Sequence, residues 1–109
     1  MSRRERDKGA RGEREVVTLI RAAGWSRAER TSNGRAQIGR GDIRNGPAAA
    51  HIEIKRQERL NVPAAFDQIV RDADPLDLPV LVHRPSRQQW MATLPLDELL
   101  ALLQLRESA

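Results

Sequence analysis

A glutamate and a lysine separated by one isoleucine lie in residues 51–57, HIEIKRQ. Side chains alternate along a strand, so Glu53 and Lys55 share one face, about 6.5–7 Å apart, while Ile52 and Ile54 share the other. A carboxylate and an ammonium held on one face of a strand could serve chemistry. The same pattern is also common in half-buried strands with a charged outer face, so the chemistry depends on what else lies nearby.

Asp42 is the first residue that favours chemistry. It opens a predicted strand that is followed by Asn45-Gly46, a strong signal for a hairpin turn. Pairing through that turn is predicted to bring Asp42 beside Glu53. Two adjacent carboxylates repel each other unless a cation lies between them, and hard divalent cations prefer carboxylate oxygen.

Glu13 is the second such residue. On a helix, Val16, Val17 and Ile20 lie within about 60° of its direction, so Glu13 points towards the core. A carboxylate that faces inward costs free energy unless it has a partner. The alternative is that Glu13 lies in the first helical turn, where an acid interacts favourably with the helix dipole and still reaches water.

Lysine is rare in this chain. Of its 19 cationic residues, only Lys8 and Lys55 are lysine. Lysine presents a compact point charge, whereas arginine presents a broad planar group. The choice of lysine at position 55 therefore favours a site that requires an ammonium.

Composition limits the class of protein. The chain has 109 residues, 39% of them hydrophobic, and no cysteine, so disulfides and thiolate metal sites are excluded. No apolar run approaches the ~20 residues of a membrane-spanning helix, and the charged N-terminus lacks the apolar core of a signal peptide. We expect a cytoplasmic protein without a membrane partner or a small-molecule cofactor.

Charge is uneven along the chain. Residues 1–59 carry 15 Lys and Arg against 8 Asp and Glu, whereas residues 60–109 carry 4 against 7. A basic half suggests a polyanionic partner such as nucleic acid; the alternative is a solvated, arginine-rich surface. With one Phe, two Trp and no Tyr, base stacking on single strands is disfavoured, and contact with a duplex backbone is favoured.

Hydrophobic periodicity and turn residues predict one domain over residues 1–109, with residues 1–8 as a flexible basic arm. The predicted elements are a helix over about 9–23, strands over 25–30, 42–45 and 48–57, a helix over 62–73, strands over 78–84 and 88–94, and a helix over 95–105. Asn61 is the expected N-cap of the second helix, whose inner face is predicted to carry Phe66, Ile69, Val70 and Ala73. The β-α-β order implies an α/β fold with a central mixed sheet of about five strands flanked by helices.

The last predicted helix has more leucines than one face can hold. Leu96, Leu99, Leu100 and Leu103 form one stripe, and Leu102 and Leu105 lie outside it. A surface helix needs only one apolar face, so the surplus predicts a second contact, which we interpret as a homodimer. The alternative is an apolar C-terminus that frays.

Together these residues carry a family resemblance. Gly9, Glu13, Arg30-x-Ser32, Gly41-Asp42-Ile43 and Ile52-Glu53-Ile54-Lys55 resemble the PD-(D/E)XK nuclease superfamily. The pattern is most similar to that of archaeal-type Holliday-junction resolvases, a group that includes phage-encoded members. The resemblance covers roughly residues 8–94. One position departs from it, because Gly41 rather than proline precedes Asp42.

The resemblance implies a restriction-endonuclease-like core and a metal-dependent mechanism. Asp42, Glu53 and the Ile54 carbonyl would bind Mg²⁺, for which Mn²⁺ can substitute. Glu13 would contact the metal ion through a bound water. Lys55 would position or deprotonate the attacking water. Catalytic Ser32 and Arg30 would contact the scissile phosphate. The remaining DNA-backbone contacts would come from Lys8, Arg11, Arg35, Arg40 and Arg56.

The implied function is resolution of four-way DNA junctions by paired phosphodiester hydrolysis in a homodimer, in the nucleoid or in a phage-infected cell. The alternatives are another nuclease of the superfamily, acting on duplexes, flaps or repair substrates, and a non-catalytic DNA-binding module. Three polar residues receive no catalytic role. His51 is interpreted as a peripheral substrate contact, His83 as the end of a buried strand, and Gln68 as pointing away from the site.

Overall fold

The chain folds into an α/β structure, which the computed structural model describes for residues 2–31 and 41–109. Within these residues the helices are α1 (Arg3–Ala22), α2 (Val62–Asp72) and α3 (Leu96–Ser108). The strands are β1 (Glu29–Arg30), β2 (Ile43–Arg44), β3 (Ala50–Arg56), β4 (Leu78–Arg84) and β5 (Met91–Thr93). The α/β class is therefore as predicted.

A three-stranded mixed sheet, in the order β3-β4-β5, forms the centre of the fold. β3 and β4 run parallel, with Ile54 opposite Val82, and β5 pairs antiparallel with β4. The crossover from β3 to β4 is α2, which is capped at Asn61, whose side chain accepts a 3.1 Å hydrogen bond from the Ala64 amide. The apolar run of β4 thus correctly predicted a central strand, and the β-α-β unit is confirmed.

The prediction of one five-stranded sheet is wrong. β1 and β2 form a separate antiparallel pair, with Arg30 opposite Ile43. No hairpin ladder joins β2 to β3 in the described residues; a single parallel bridge between Gly41 and Ile52 connects them. Pro47 directly follows the Asn-Gly turn signal and has no N–H to donate, which is unfavourable for a continuing ladder.

Helix α1 begins six residues earlier than predicted. Ser2 caps it by accepting a 3.1 Å hydrogen bond from the Glu5 amide. Residues 3–8, expected to be a flexible arm, are helical instead. The spacing Ser2-x-x-Glu5 is the signature of a capping box, which the sequence prediction did not use.

The helices pack on the sheet through small apolar clusters. Val16 and Val17 of α1 are buried against Ile52 and Ile54 of β3. Successive side chains of a strand point to opposite faces of the sheet. On the face opposite α1, Ile69 of α2 is 2% exposed. The predicted inner face of α2 is partly wrong, since Val70 is 53% exposed.

Helix α3 carries no buried residue. Its six leucines are 37–68% exposed, so the predicted leucine surplus lies entirely on the surface of the single chain. None of the described helices is both long and apolar enough to cross a membrane.

Candidate functional site

The predicted acidic residues meet in one open cleft of about 770 Å³ between α1 and β3. Helix α1 contributes Glu13, and β3 contributes Glu53 and Lys55. Arg30 at the end of β1 and Asp42 at the start of β2 complete the inner wall. The prediction that Asp42 and Glu53 are neighbours is confirmed, although the predicted hairpin is not the cause.

Asp42 is held against β3 by two hydrogen bonds. Its amide donates to the Ile52 carbonyl oxygen at 2.8 Å, and its Oδ2 accepts from the Ile54 amide at 2.7 Å. These bonds attach Asp42 to the residues of β3 on either side of Glu53. They therefore bring the carboxyl groups of Asp42 and Glu53 together without a strand ladder.

Gly41 makes this close approach possible. Its φ is +63°, a conformation that glycine adopts without steric cost. A Cβ at this position would collide with the carbonyl oxygen of Ile52. The residue that departs from the family pattern is thus suited to the local geometry, since proline requires φ near −65°.

The proximity of two carboxyl groups affects the ionisation of Asp42. Burial is the largest cause and the Glu53 charge the second, and together they raise the pKa of Asp42 to about 7, with the Ile54 amide opposing. A cation between Asp42 and Glu53 would offset the electrostatic repulsion between their carboxylates.

Glu13 faces the same cleft and is held by Arg30. Oε2 of Glu13 lies 3.0 Å from Nε and 2.8 Å from Nη2 of Arg30. Burial, followed by the Asp42 charge, raises the pKa of Glu13, and Arg30 opposes the rise. Because α1 begins at Arg3, Glu13 lies in the third turn, and the first-turn explanation for this residue is wrong.

Lys55 is half-buried in the cleft, and its charge lowers the pKa of both Asp42 and Glu13. Across residues 2–31 and 41–109, no side chain forms an ion pair or a hydrogen bond with its ammonium. The group is therefore available to a water molecule or a phosphate.

The acidic pair is suited to a Mg²⁺ ion that a bound substrate would help to hold. Among the described residues, no group of three or more His, Asp or Glu side chains could hold a metal ion. Mg²⁺ retains several waters and is usually bound by one or two carboxylates together with substrate phosphates. Asp42, Glu53 and the Ile54 carbonyl could supply these oxygens. Glu13, already paired with Arg30, is suited to a contact through water.

The predicted DNA-binding residues fall into four groups. Arg30 lies in the cleft and pairs with Glu13. Lys8 and Arg56 lie at its mouth, where both contact Glu58, at 2.8 Å and 3.2 Å. Arg11 is exposed on α1. Ser32, Arg35 and Arg40 lie outside the described residues.

His51 was misjudged from the sequence. It is only 2% exposed, so its interpretation as a peripheral substrate contact is wrong. Its Nε2 lies 3.4 Å from Oε1 of Glu53, and neither ring nitrogen has a hydrogen-bond partner among the described residues. Side chains alternate along β3, so His51 lies on the same face as Glu53. This pattern could have predicted the contact between the two side chains.

The other two polar residues agree with their predictions. His83, next to the end of β4, is half-buried, and its Nε2 lies 3.0 Å from Oγ1 of Thr93. Gln68 is exposed on α2, where it donates to Asp72 and accepts from Arg71.

Glu58 was missed. Its carboxylate accepts from Lys8, Arg56 and both the amide and the hydroxyl of Ser86. These bonds, the Lys8 bond first, hold its pKa well below the usual range. Glu58 therefore joins the start of α1 to the ends of β3 and β4.

Comparison with known proteins gives no match. No family model matches the sequence, and neither a curated protein nor a solved structure is significantly similar. The resemblance to the nuclease superfamily thus depends on the motif residues and on the way they meet in the cleft.

Proposed function

We propose that the protein is a metal-dependent endonuclease that hydrolyses phosphodiester bonds in branched DNA, four-way junctions in particular. The observation that supports this most strongly is the hydrogen bond from the Ile54 amide to Asp42. It brings the carboxyl groups of Asp42 and Glu53 together beside an unpaired lysine, in a cleft open to a large substrate.

Asp42, Glu53 and the Ile54 carbonyl would hold Mg²⁺ or Mn²⁺. The ion supplies Lewis acidity and lowers the pKa of a bound water, so that a nucleophile exists at neutral pH. Burial and the Glu53 charge raise the pKa of Asp42 to about 7, so an ion held by this carboxyl at neutral pH would displace a proton from it.

Lys55 acts on the attacking water and on the phosphate. Its ammonium positions the attacking water and neutralises charge that develops on the phosphate; the alternative role is removal of a proton from that water. Arg30 uses two of its five N–H donors on Glu13. The others remain for a phosphate oxygen, and Glu13 keeps the guanidinium in place. Ser32, close in sequence, is assigned to the same phosphate.

A junction-resolving role requires two incisions and therefore two active sites. We assign the second site to a second copy of the chain, joined through α3. Its leucines point in several directions, and a helix that is apolar around most of its circumference is normally covered on more than one side. An enzyme that remains monomeric on DNA would instead be a nickase.

The test is incubation of the full-length protein with labelled four-way junction, flap and linear duplex of matched sequence, with Mg²⁺ or with EDTA. The proposal requires Mg²⁺-dependent, paired cuts in the junction in excess of cuts in the linear duplex. Cleavage of all three substrates at equal rates would leave a nuclease without structure selectivity. Absence of cleavage in Mg²⁺ and Mn²⁺, with DNA binding intact, would indicate a binding module.

A further inference from the structure

A second cavity, of about 280 Å³, lies on α1 next to the proposed active site. Six charged residues line it: Arg4, Lys8, Arg11, Glu15, Arg56 and Arg84. Five of the six are cationic. Lys8 and Arg56 also line the active-site cleft, so the two cavities adjoin at these residues.

The wall formed by Arg84 is rigid. Its guanidinium lies 5.2 Å from the centroid of the Trp90 ring, and its Nη2 donates to Glu15 at 3.2 Å. Trp90 also donates to Glu15, from Nε1 at 3.0 Å. The only acid of the cavity is therefore already engaged by a cation and an indole.

Gly12 determines the shape of the cavity. This glycine is buried in the middle of α1, where glycine costs about 1 kcal/mol of helix stability relative to alanine. A Cβ here would lie 2.8 Å from Cβ of Arg56 and 3.3 Å from the Trp90 ring. The glycine thus allows α1 to approach the end of β3, where Arg56 joins the cavity.

The cations free to bind a ligand are not Arg84 but two arginines of α1. Nη1 of Arg84 donates to the carbonyl oxygens of Pro85 and Gln88, and its Nε is buried. Arg4 and Arg11 are exposed, and no acid among residues 2–31 and 41–109 pairs with either. Several guanidinium groups around a small cavity are suited to the tetrahedral oxygens of a phosphate.

We propose that this cavity binds a second phosphodiester group of the DNA held at the active site. The inference rests on the proposed function, and it assigns Arg4 and Arg11 to a backbone contact separate from the scissile phosphate. The bound DNA then crosses the N-terminal half of α1. DNA is favoured over a free phosphate because Lys8 and Arg56 line both this cavity and the active-site cleft.

The test compares junction binding by the wild type, the double variant Arg4→Ala/Arg11→Ala and the control Arg71→Ala, in EDTA over a range of salt concentrations. Arg4 and Arg11 are exposed and unpaired, so the double variant should melt like the wild type. Arg71 is an exposed arginine on α2, and α2 packs on the other side of the sheet. We expect the double variant to bind about tenfold or more weakly, with a salt dependence smaller by about 1–2 units of logarithmic slope. The control should match the wild type.

Equal affinity and equal salt slope in all three proteins would overturn the proposed cavity contact, whether or not the wild type cuts junctions in Mg²⁺. Weaker binding by the double variant in a protein that never cuts would retain the cavity contact and overturn the nuclease. Inorganic phosphate at matched ionic strength is the second arm. If the double variant loses phosphate binding, measured by calorimetry, but binds the junction as the wild type does, the cavity serves a free phosphate and the assignment to DNA is wrong.

Discussion

The Ile54 amide donates a 2.7 Å hydrogen bond to Oδ2 of Asp42, and this bond connects the residue before β2 to β3, which belongs to the other sheet. The backbone bond from the Asp42 amide to the Ile52 carbonyl lies beside it. The side-chain bond leaves the Asp42 carboxyl beside that of Glu53, so it helps both to connect the two sheets and to assemble the acidic pair.

Stability should depend on pH through Asp42. Its pKa is about 7 in the folded protein against 3.8 as the reference value. Between these pH values the folded protein holds a proton that the unfolded chain has lost, so the free energy of unfolding falls as pH rises from about 4 to 7. Differential scanning fluorimetry of metal-free protein should show a Tm at least about 4 °C lower at pH 8 than at pH 5, since 1 kcal/mol shifts Tm by about 4–8 °C in a domain of this size.

The control is the variant Asp42→Asn, which lacks the titrating carboxyl group. The variant should lose most of the pH dependence, and added Mg²⁺ at pH 8 should raise the Tm of the wild type but not that of the variant. An equal pH dependence in both proteins would show that Asp42 is not the group responsible.

The pair Gly41→Ala and Gly9→Ala tests the backbone geometry at Asp42. Alanine at position 41 must adopt φ of +63°, which costs about 1–2 kcal/mol, and its Cβ meets the Ile52 carbonyl. Gly9 is helical, and a Cβ there meets nothing within 4 Å. Urea unfolding should show a loss of at least about 1–2 kcal/mol for Gly41→Ala and a gain of up to about 1 kcal/mol for Gly9→Ala. A neutral Gly41→Ala variant would contradict the close approach described here.

Lys55→Arg tests whether β3 carries chemistry or only an exposed charge. An exposed charge tolerates the change, because both side chains are cationic. An arginine remains protonated and is bulkier, so it cannot take a proton from water. Positioned proton transfer contributes about 10²–10⁴-fold in rate. We therefore expect at least a ~10²-fold loss in single-turnover cleavage, with Tm and junction affinity little changed. Cleavage at the wild-type rate would remove Lys55 from the mechanism.

The exposed leucines of α3 predict a dimer. Light scattering at micromolar concentration should give about twice the chain mass of 12.3 kDa. Leu100→Glu/Leu103→Glu should convert the protein to a monomer, because a charge in an apolar contact is costly. Leu76→Glu, at a position 89% exposed outside α3, should remain dimeric. A wild type that is monomeric both free and on DNA would contradict the paired-incision proposal.

Local signals predicted the central elements well. The apolar run of β4 and the Asn61 cap of α2 each depend on a few adjacent residues, and the structure agrees with both. The start of α1 was missed although Ser2-x-x-Glu5 is equally local. The pairing of β2 was mispredicted, because the Asn45-Gly46 signal was read without Pro47.

The remaining differences between the predicted site and the structure arise from contacts between residues that are far apart in the sequence. Helical and strand periodicity placed Glu13, Glu53 and Lys55 on the faces that the structure gives them. The Glu13–Arg30 pair joins α1 to β1 across the cleft. The assembly of Arg84, Trp90 and Glu15 joins β4 to α1 over more than 60 positions. Neither contact has a local sequence pattern, since each depends on how the elements pack.

Asp42 and Glu53 are proposed to form a catalytic metal site. The most direct test of this proposal is single-turnover cleavage of a labelled four-way junction by the wild type, Asp42→Ala, Glu53→Ala and the control Asp67→Ala, an exposed acid on α2, with Mg²⁺ and with EDTA. The account predicts cleavage by the wild type and Asp67→Ala only in Mg²⁺, and none by Asp42→Ala or Glu53→Ala, although both still bind the junction. Cleavage by either of these two variants at the wild-type rate would contradict it.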